Sequence, residues 1–206
     1  MSLAFCKIAL CIPAALIAIG AYAQEVPLSA EIHQRTDVIV DGKVVKTQAR
    51  DMNFYRLTDG STLTVPVGEG DNNGTLWDNK TGTAYRIDLK GRIAYEDPHS
   101  PHVPNRSAHN EPNASFPDDA VEGIPCKVVP VYVRSKPGTP LLKSATPGRA
   151  CVSGALNLEL KSDVVVQTGA GATEHLVKEL RNIKVNAELD QQLFDPGRYT
   201  IYGPKN

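Results

Sequence analysis

Between residues 41 and 91 a turn-forming pair ending in glycine recurs at short intervals: Asp41-Gly42, Asp59-Gly60, Asn73-Gly74, Thr81-Gly82 and Lys90-Gly91. Glycine reaches positive φ without steric cost, which tight reversals require, so this spacing predicts a β-meander. The intervening stretches are rich in β-branched and aromatic side chains, as in Thr36–Val40, Phe54–Leu57, Thr62–Val65, Ala84–Ile87 and Arg92–Tyr95. Such residues fit a pleated, half-buried surface, and helical periodicity is weak throughout this half of the chain. Asp71-Asn72-Asn73-Gly74 offers the oxygen ligands of a calcium loop, but no glycine follows at the sixth position and no acid closes at the twelfth. It is therefore expected to be a hairpin turn.

Asp97 to Glu122 interrupts the meander with Pro98, Pro101, Pro104, Pro112 and Pro117. Proline removes a ladder donor, so an exposed Pro- and His-rich loop is expected over residues 97–122. Strands are expected again over Lys127–Arg134, over Ala155–Lys161 with its alternating leucines, and over Asp163–Gln167, before a turn at Gly169-Ala170-Gly171. Residues 173–186 read two ways. Leu176, Leu180 and Ile183 have helical spacing behind a possible Thr173 cap; as a strand, the stretch sets Leu176 and Leu180 on one face and Val177, Ile183 and Val185 on the other.

The first 23 residues combine Lys7, no acidic residue, an apolar run from Ile8 to Gly20 and the small-x-small stretch Ala21-Tyr22-Ala23. That pattern predicts a signal peptide over residues 1–23, a mature chain of one β domain over 24–206, and a place in the periplasm or outside the cell. Cys6 and Cys11 would leave with the leader. Cys126 and Cys151 then remain as a pair without CxxC spacing, and an oxidising compartment makes them a disulfide. On the chain-entropy model the closed loop is worth about 3 kcal/mol. Lys and Arg number 22 against 23 Asp and Glu, for a net charge of −1 with both signs scattered. No nucleic-acid footprint or polybasic membrane patch follows, no membrane span is expected in the mature chain, and a monomer is expected.

Catalytic constellations are recognised by their spacing. Ser153-Gly154 lacks the Gly-x-Ser-x-Gly elbow, and Gly68-Glu69-Gly70 with Gly74 is misspaced for a phosphate loop. The chain is expected to be non-enzymatic and to need no cofactor. His99, His102 and His109, with Asp97 and Glu111, form the one metal-ligand candidate; a solvated loop is the competing reading. Asn73, Asn79, Asn105 and Asn113 each begin an Asn-x-Ser/Thr sequon. Tyr55, Trp77, Tyr85, Tyr95 and Tyr132 are the candidate lining of a ligand cleft, with ordinary cross-strand packing as the alternative.

Several stretches also stand in a familiar order: Gly82-Thr83-Ala84-Tyr85-Arg86-Ile87-Asp88, Gly123-Ile124-Pro125-Cys126-Lys127-Val128, Leu156 to Gln167, Leu180-Arg181-Asn182-Ile183 and Leu193-Phe194-Asp195-Pro196. From Thr75 onward the chain resembles exported bacterial proteins of the LolA-like class, in particular an acidobacterial branch. The resemblance implies a mainly β fold, a curved antiparallel sheet forming an unclosed half-barrel with little helix. It makes Leu193 and Phe194 a plug on a short turn capped by Asp190, and favours a strand over residues 173–186. It also implies a binding protein whose concave apolar face takes a lipid, an acyl chain or a hydrophobic segment of an envelope protein or lipoprotein. No counterpart of that class's helical lid is present.

Overall fold

The structure, a computed structural model, describes residues 25–68, 73–97, 117–131, 148–168 and 172–203. These contain twelve strands: β1 (Leu28–Val40), β2 (Lys43–Arg56), β3 (Thr62–Pro66), β4 (Asn73–Asp78), β5 (Thr83–Asp88), β6 (Ile93–Glu96), β7 (Asp118–Val121), β8 (Ile124–Val131), β9 (Gly148–Ser153), β10 (Leu158–Thr168), β11 (Ala172–Val185) and β12 (Thr200–Tyr202). They form one sheet in the order β12-β6-β5-β4-β3-β2-β1-β11-β10-β9-β8-β7. Every neighbouring pair is antiparallel except β12 with β6. The edges β12 and β7 do not pair, so the sheet is unclosed, and the only helical elements described are two short 3-10 turns. The mainly β, unclosed architecture expected from the sequence is found.

Local chemistry accounts for most of the meander. Asp41 (φ 50) and Gly42 (φ 73) supply the two positive φ values that a two-residue turn joining right-twisted strands demands. Asp78 closes the β4–β5 turn by accepting from the Lys80 amide (3.0 Å) and the Thr81 hydroxyl (2.8 Å), while Gly82 takes φ 69. Asn73-Gly74 is not the expected turn; it opens β4. A Cβ on Gly74 would lie 2.9 Å from the Thr64 carbonyl oxygen, so glycine is needed there for close strand approach rather than for a reversal.

Two further expectations change, and one open alternative resolves. Residues 118–121, assigned to the loop, form β7, held by pairing with β8 and by a Lys127–Asp118 ion pair at 2.5 Å. The strand expected from Ala155 starts at Leu158, behind a turn in which Asn157 takes φ 48. The ambiguity over 173–186 resolves as β11, paired along nearly its whole length with β1. A helix would have satisfied the leucine spacing yet left the long β1 unpartnered on that side, so tertiary pairing overrides the local pattern.

Hydrophobic residues gather in two clusters. The first holds Leu28, Ala30 and Ile32 of β1, Leu158 and Leu160 of β10, Leu180 of β11, Val121, Leu156 and both cysteines, with Met52 and Phe54 packed against it. The sheet rolls around it: the Glu122 carboxylate at the β7–β8 turn accepts from the Asn182 (2.8 Å) and Ile183 (2.9 Å) amides of β11, although β10 and β9 lie between in the sheet order. Cys126 and Cys151 join β8 to β9 as a disulfide with a Cα–Cα distance of 5.4 Å.

The second cluster is Leu63, Leu76, Tyr85, Ile87, Ala94 and Phe194, with Tyr55, Val65, Leu189 and Tyr199 against it. Here the chain leaving β11 beside β1 crosses β2 to β5 and adds β12 outside β6. The crossing carries a 3-10 turn, Gln191–Phe194, capped by Asp190, whose side chain accepts from the Gln192 amide. Phe194 is 6% exposed and plugs this cluster, whereas Leu193, also expected in the core, is 40% exposed. A four-residue turn presents one side chain inward, and Phe194 takes that place.

Candidate functional site

Residues paired across an antiparallel ladder share a face, so register assigns the two sides of β2 to β6. On one side Tyr55, Leu63, Leu76 and Tyr85 form a row, and this is the side covered by Phe194. On the other runs the row Phe54, Thr64, Thr75, Arg86 and Tyr95, flanked by Met52 paired with Pro66 and by Asn73 paired with Asp88. No element among the described residues covers this second side. It holds an open groove of about 610 Å³ lined by residues of β2 to β6, among them Arg50, Met52, Pro66, Arg86, Asp88 and Tyr95.

The groove is amphipathic. Met52 belongs at once to its floor and to the margin of the first core cluster, so an apolar strip continues from the sealed core into the open face. Charge sits around it. Arg86 faces Asp97 at 3.5 Å, and Asp88 Oδ1 accepts from the Lys90 (3.0 Å) and Gly91 (2.9 Å) amides of the β5–β6 turn. Within the rolled half the face is filled by the chain's own Leu28, Ile32, Leu160 and Leu180, so the open part of the surface is the mixed one.

Four of the five candidate aromatics lie in the described residues, and they divide between the two faces of the sheet. Tyr95 lines the groove and stacks on Tyr202 of β12, with ring centroids 5.5 Å apart. Trp77 lies on the same face one row away, with Asn79 Oδ1 3.4 Å from its indole nitrogen. Tyr55 and Tyr85 belong to the cluster on the opposite face. Tyr132 lies outside the described residues, as do His99, His102 and His109; among the described residues no group of three or more His, Cys, Asp or Glu side chains could hold a metal. Arg50, Met52 and Pro66 are not legible as lining residues in the sequence, because a strand's lining side is visible only once its register with its neighbours is known.

The opposite face of the central strands carries a polar array. Asp37 is buried between the Thr47 hydroxyl (2.6 Å) and the Arg35 guanidinium (2.9 Å), and these hold its carboxyl below the usual aspartate range. His33 meets Asp51 at 2.5 Å and His175 meets Asp163 at 2.7 Å. Each imidazole and carboxylate spans two neighbouring strands, which ties β1 to β2 and β10 to β11. At the strand ends Arg56 is buried; burial lowers its pKa, and Glu25 at 3.3 Å opposes that shift. Its Nε and Nη2 both donate to the Val26 carbonyl.

No protein-family model and no curated protein matches the chain. Among solved structures it is similar to an uncharacterized conserved protein from Thermus thermophilus, with TM-score 0.42 and 9% identity over 87% of this chain and 91% of that one. A LolA superfamily protein from Nitrosomonas europaea matches with TM-score 0.39 and 6% identity over 84% and 91%. A DUF1329 family protein from Desulfovibrio piger matches with TM-score 0.24 and 12% identity over 87% and 93%.

Proposed function

We propose that the chain is an exported, non-enzymatic binding protein that takes a lipid, an acyl chain or a hydrophobic segment of an envelope partner in the groove of β2 to β6. The observation that carries this reading is the groove itself, a sheet face that no described element covers and whose apolar floor at Met52 runs on from the first core cluster. An acyl chain or aliphatic side chains would lie over Met52, Pro66 and Tyr95, and the ligand's polar end would meet the charged rim at Arg50, Arg86 and Asp88. Sites of this kind bind through apolar area and use a few polar groups for orientation. The disulfide between Cys126 and Cys151 supports an oxidising compartment, and the leader-like residues 1–23 support export.

Native mass spectrometry of the protein taken from its own envelope fraction, before and after delipidation, tests the reading. A co-purifying lipid or acylated peptide is expected, and Met52→Lys is expected to lose it by placing a cation on the apolar floor. A bound transition metal lost on substituting His99 and His102 would transfer the function to that stretch. Retention of the same lipid by Met52→Lys would remove it from the groove.

A further inference from the structure

We infer that the tip of the β1–β2 hairpin is a docking surface for an anionic lipid bilayer. Every residue from Asp41 to Asp51 is exposed, so no described part of the chain covers this finger. Two large aliphatic side chains stand at its end, Val44 at 56% and Val45 at 61% exposure. Their placement follows from a bulge. Val38 pairs with Lys46 but Ile39 pairs with Val44, so Val45 is the extra residue and has no partner on β1. A bulge re-aims side chains and twists the hairpin locally, which brings adjacent valines to the extremity instead of alternating one of them away.

The charges beside these valines select the occupant. From the turn to Lys46 the exposed stretch carries Lys43 and Lys46 against one acidic residue, Asp41, in a chain whose overall balance is −1. Of the carboxylates that border it, Asp37 is engaged by Arg35 and Thr47, Asp51 by His33, and Glu174 lies opposite Val38 on the far side of β1. Valines can enter the boundary between headgroups and acyl chains while lysine stems extend their ammonium groups back to lipid phosphates. The paired backbone of a hairpin brings few unsatisfied amides into that boundary. Two copies meeting tip to tip would instead set cation against cation, so the chemistry favours an anionic surface over self-association. From Val44 to Met52 the strand spans roughly 26 Å, so a bilayer held at the tip would leave the groove open to solvent.

The test is co-sedimentation of the protein beginning at Gln24 with phosphatidylcholine vesicles, with and without phosphatidylglycerol; starting there removes the apolar run of residues 8–20 as a confounding anchor. Binding is expected only with phosphatidylglycerol, falling as salt rises. Val44→Ser with Val45→Ser is expected to weaken it by at least about tenfold, and Lys43→Gln with Lys46→Gln by roughly fivefold per lysine. Val67→Ser, an exposed valine off the finger, is expected to leave binding unchanged. Unfolding midpoints matching that of the unsubstituted protein would show that the finger variants still fold. Absence of vesicle binding, binding that survives the serine pair, or a dimer that forms through the tip without vesicles would each overturn the assignment.

Discussion

At the scale of single residues the structure stakes most on charges that have been drawn out of water. Asp37, 6% exposed, has a carboxyl pKa lowered first by the Thr47 hydroxyl and then by Arg35. A folded value below the unfolded one stabilises the fold at pH above the unfolded value of about 4, and that contribution is lost as pH falls through the folded value. Asp37→Asn is accordingly expected to lower the urea midpoint at pH 7 and to make little difference at strongly acid pH. A gap that persisted there would assign the effect to packing. Neither this site nor Arg56 announces itself locally, because Thr47 is ten residues from Asp37 and the Val26 carbonyl thirty from Arg56. Buried polar pairs on neighbouring strands become readable only with the register.

Among elements, the crossing after β11 is held mainly by one side chain. Phe194→Ala is expected to cost about 3–4 kcal/mol, the range for emptying a buried aromatic site. Leu193→Ala, at an exposed position beside it, should stay under about 1 kcal/mol. Urea titrations of the two variants decide the matter, and equal losses would mean that Leu189 or Tyr199 anchors the crossing instead. The turn itself was legible, since Asp190 before it and Pro196-Gly197 after it are punctuation with a mechanism. So were most of the glycine turns. Gly74 misled because the same residue type serves reversals and close strand contacts. Residues 173–186 were ambiguous because their leucines satisfy either period, and only a distant partner, β1, selects the strand.

For the molecule as a whole, the sequence conveyed a β chain and a cysteine pair, but not that the apolar residues would sort into two clusters with the groove opposite one of them. That arrangement depends on which strands are neighbours, and β1 beside β11 is a pairing no local pattern encodes. The disulfide lies wholly within the first cluster. Replacing Cys126 and Cys151 with serine should therefore cost about 3 kcal/mol in global stability. In native-state hydrogen exchange the loss of protection should concentrate in β8 and β9 and largely spare β3 to β5; a uniform loss would mean that both clusters open together. The β1–β11 pairing also has a consequence in time. Leu28 meets Val185, so while a ribosome adds the residues between β2 and β11, on the order of ten seconds of synthesis, one side of β1 has no native neighbour. A nascent chain that reaches β2 through β6 can already fold into a meander, but it does so with its longest edge unguarded and open to pairing with another copy of itself.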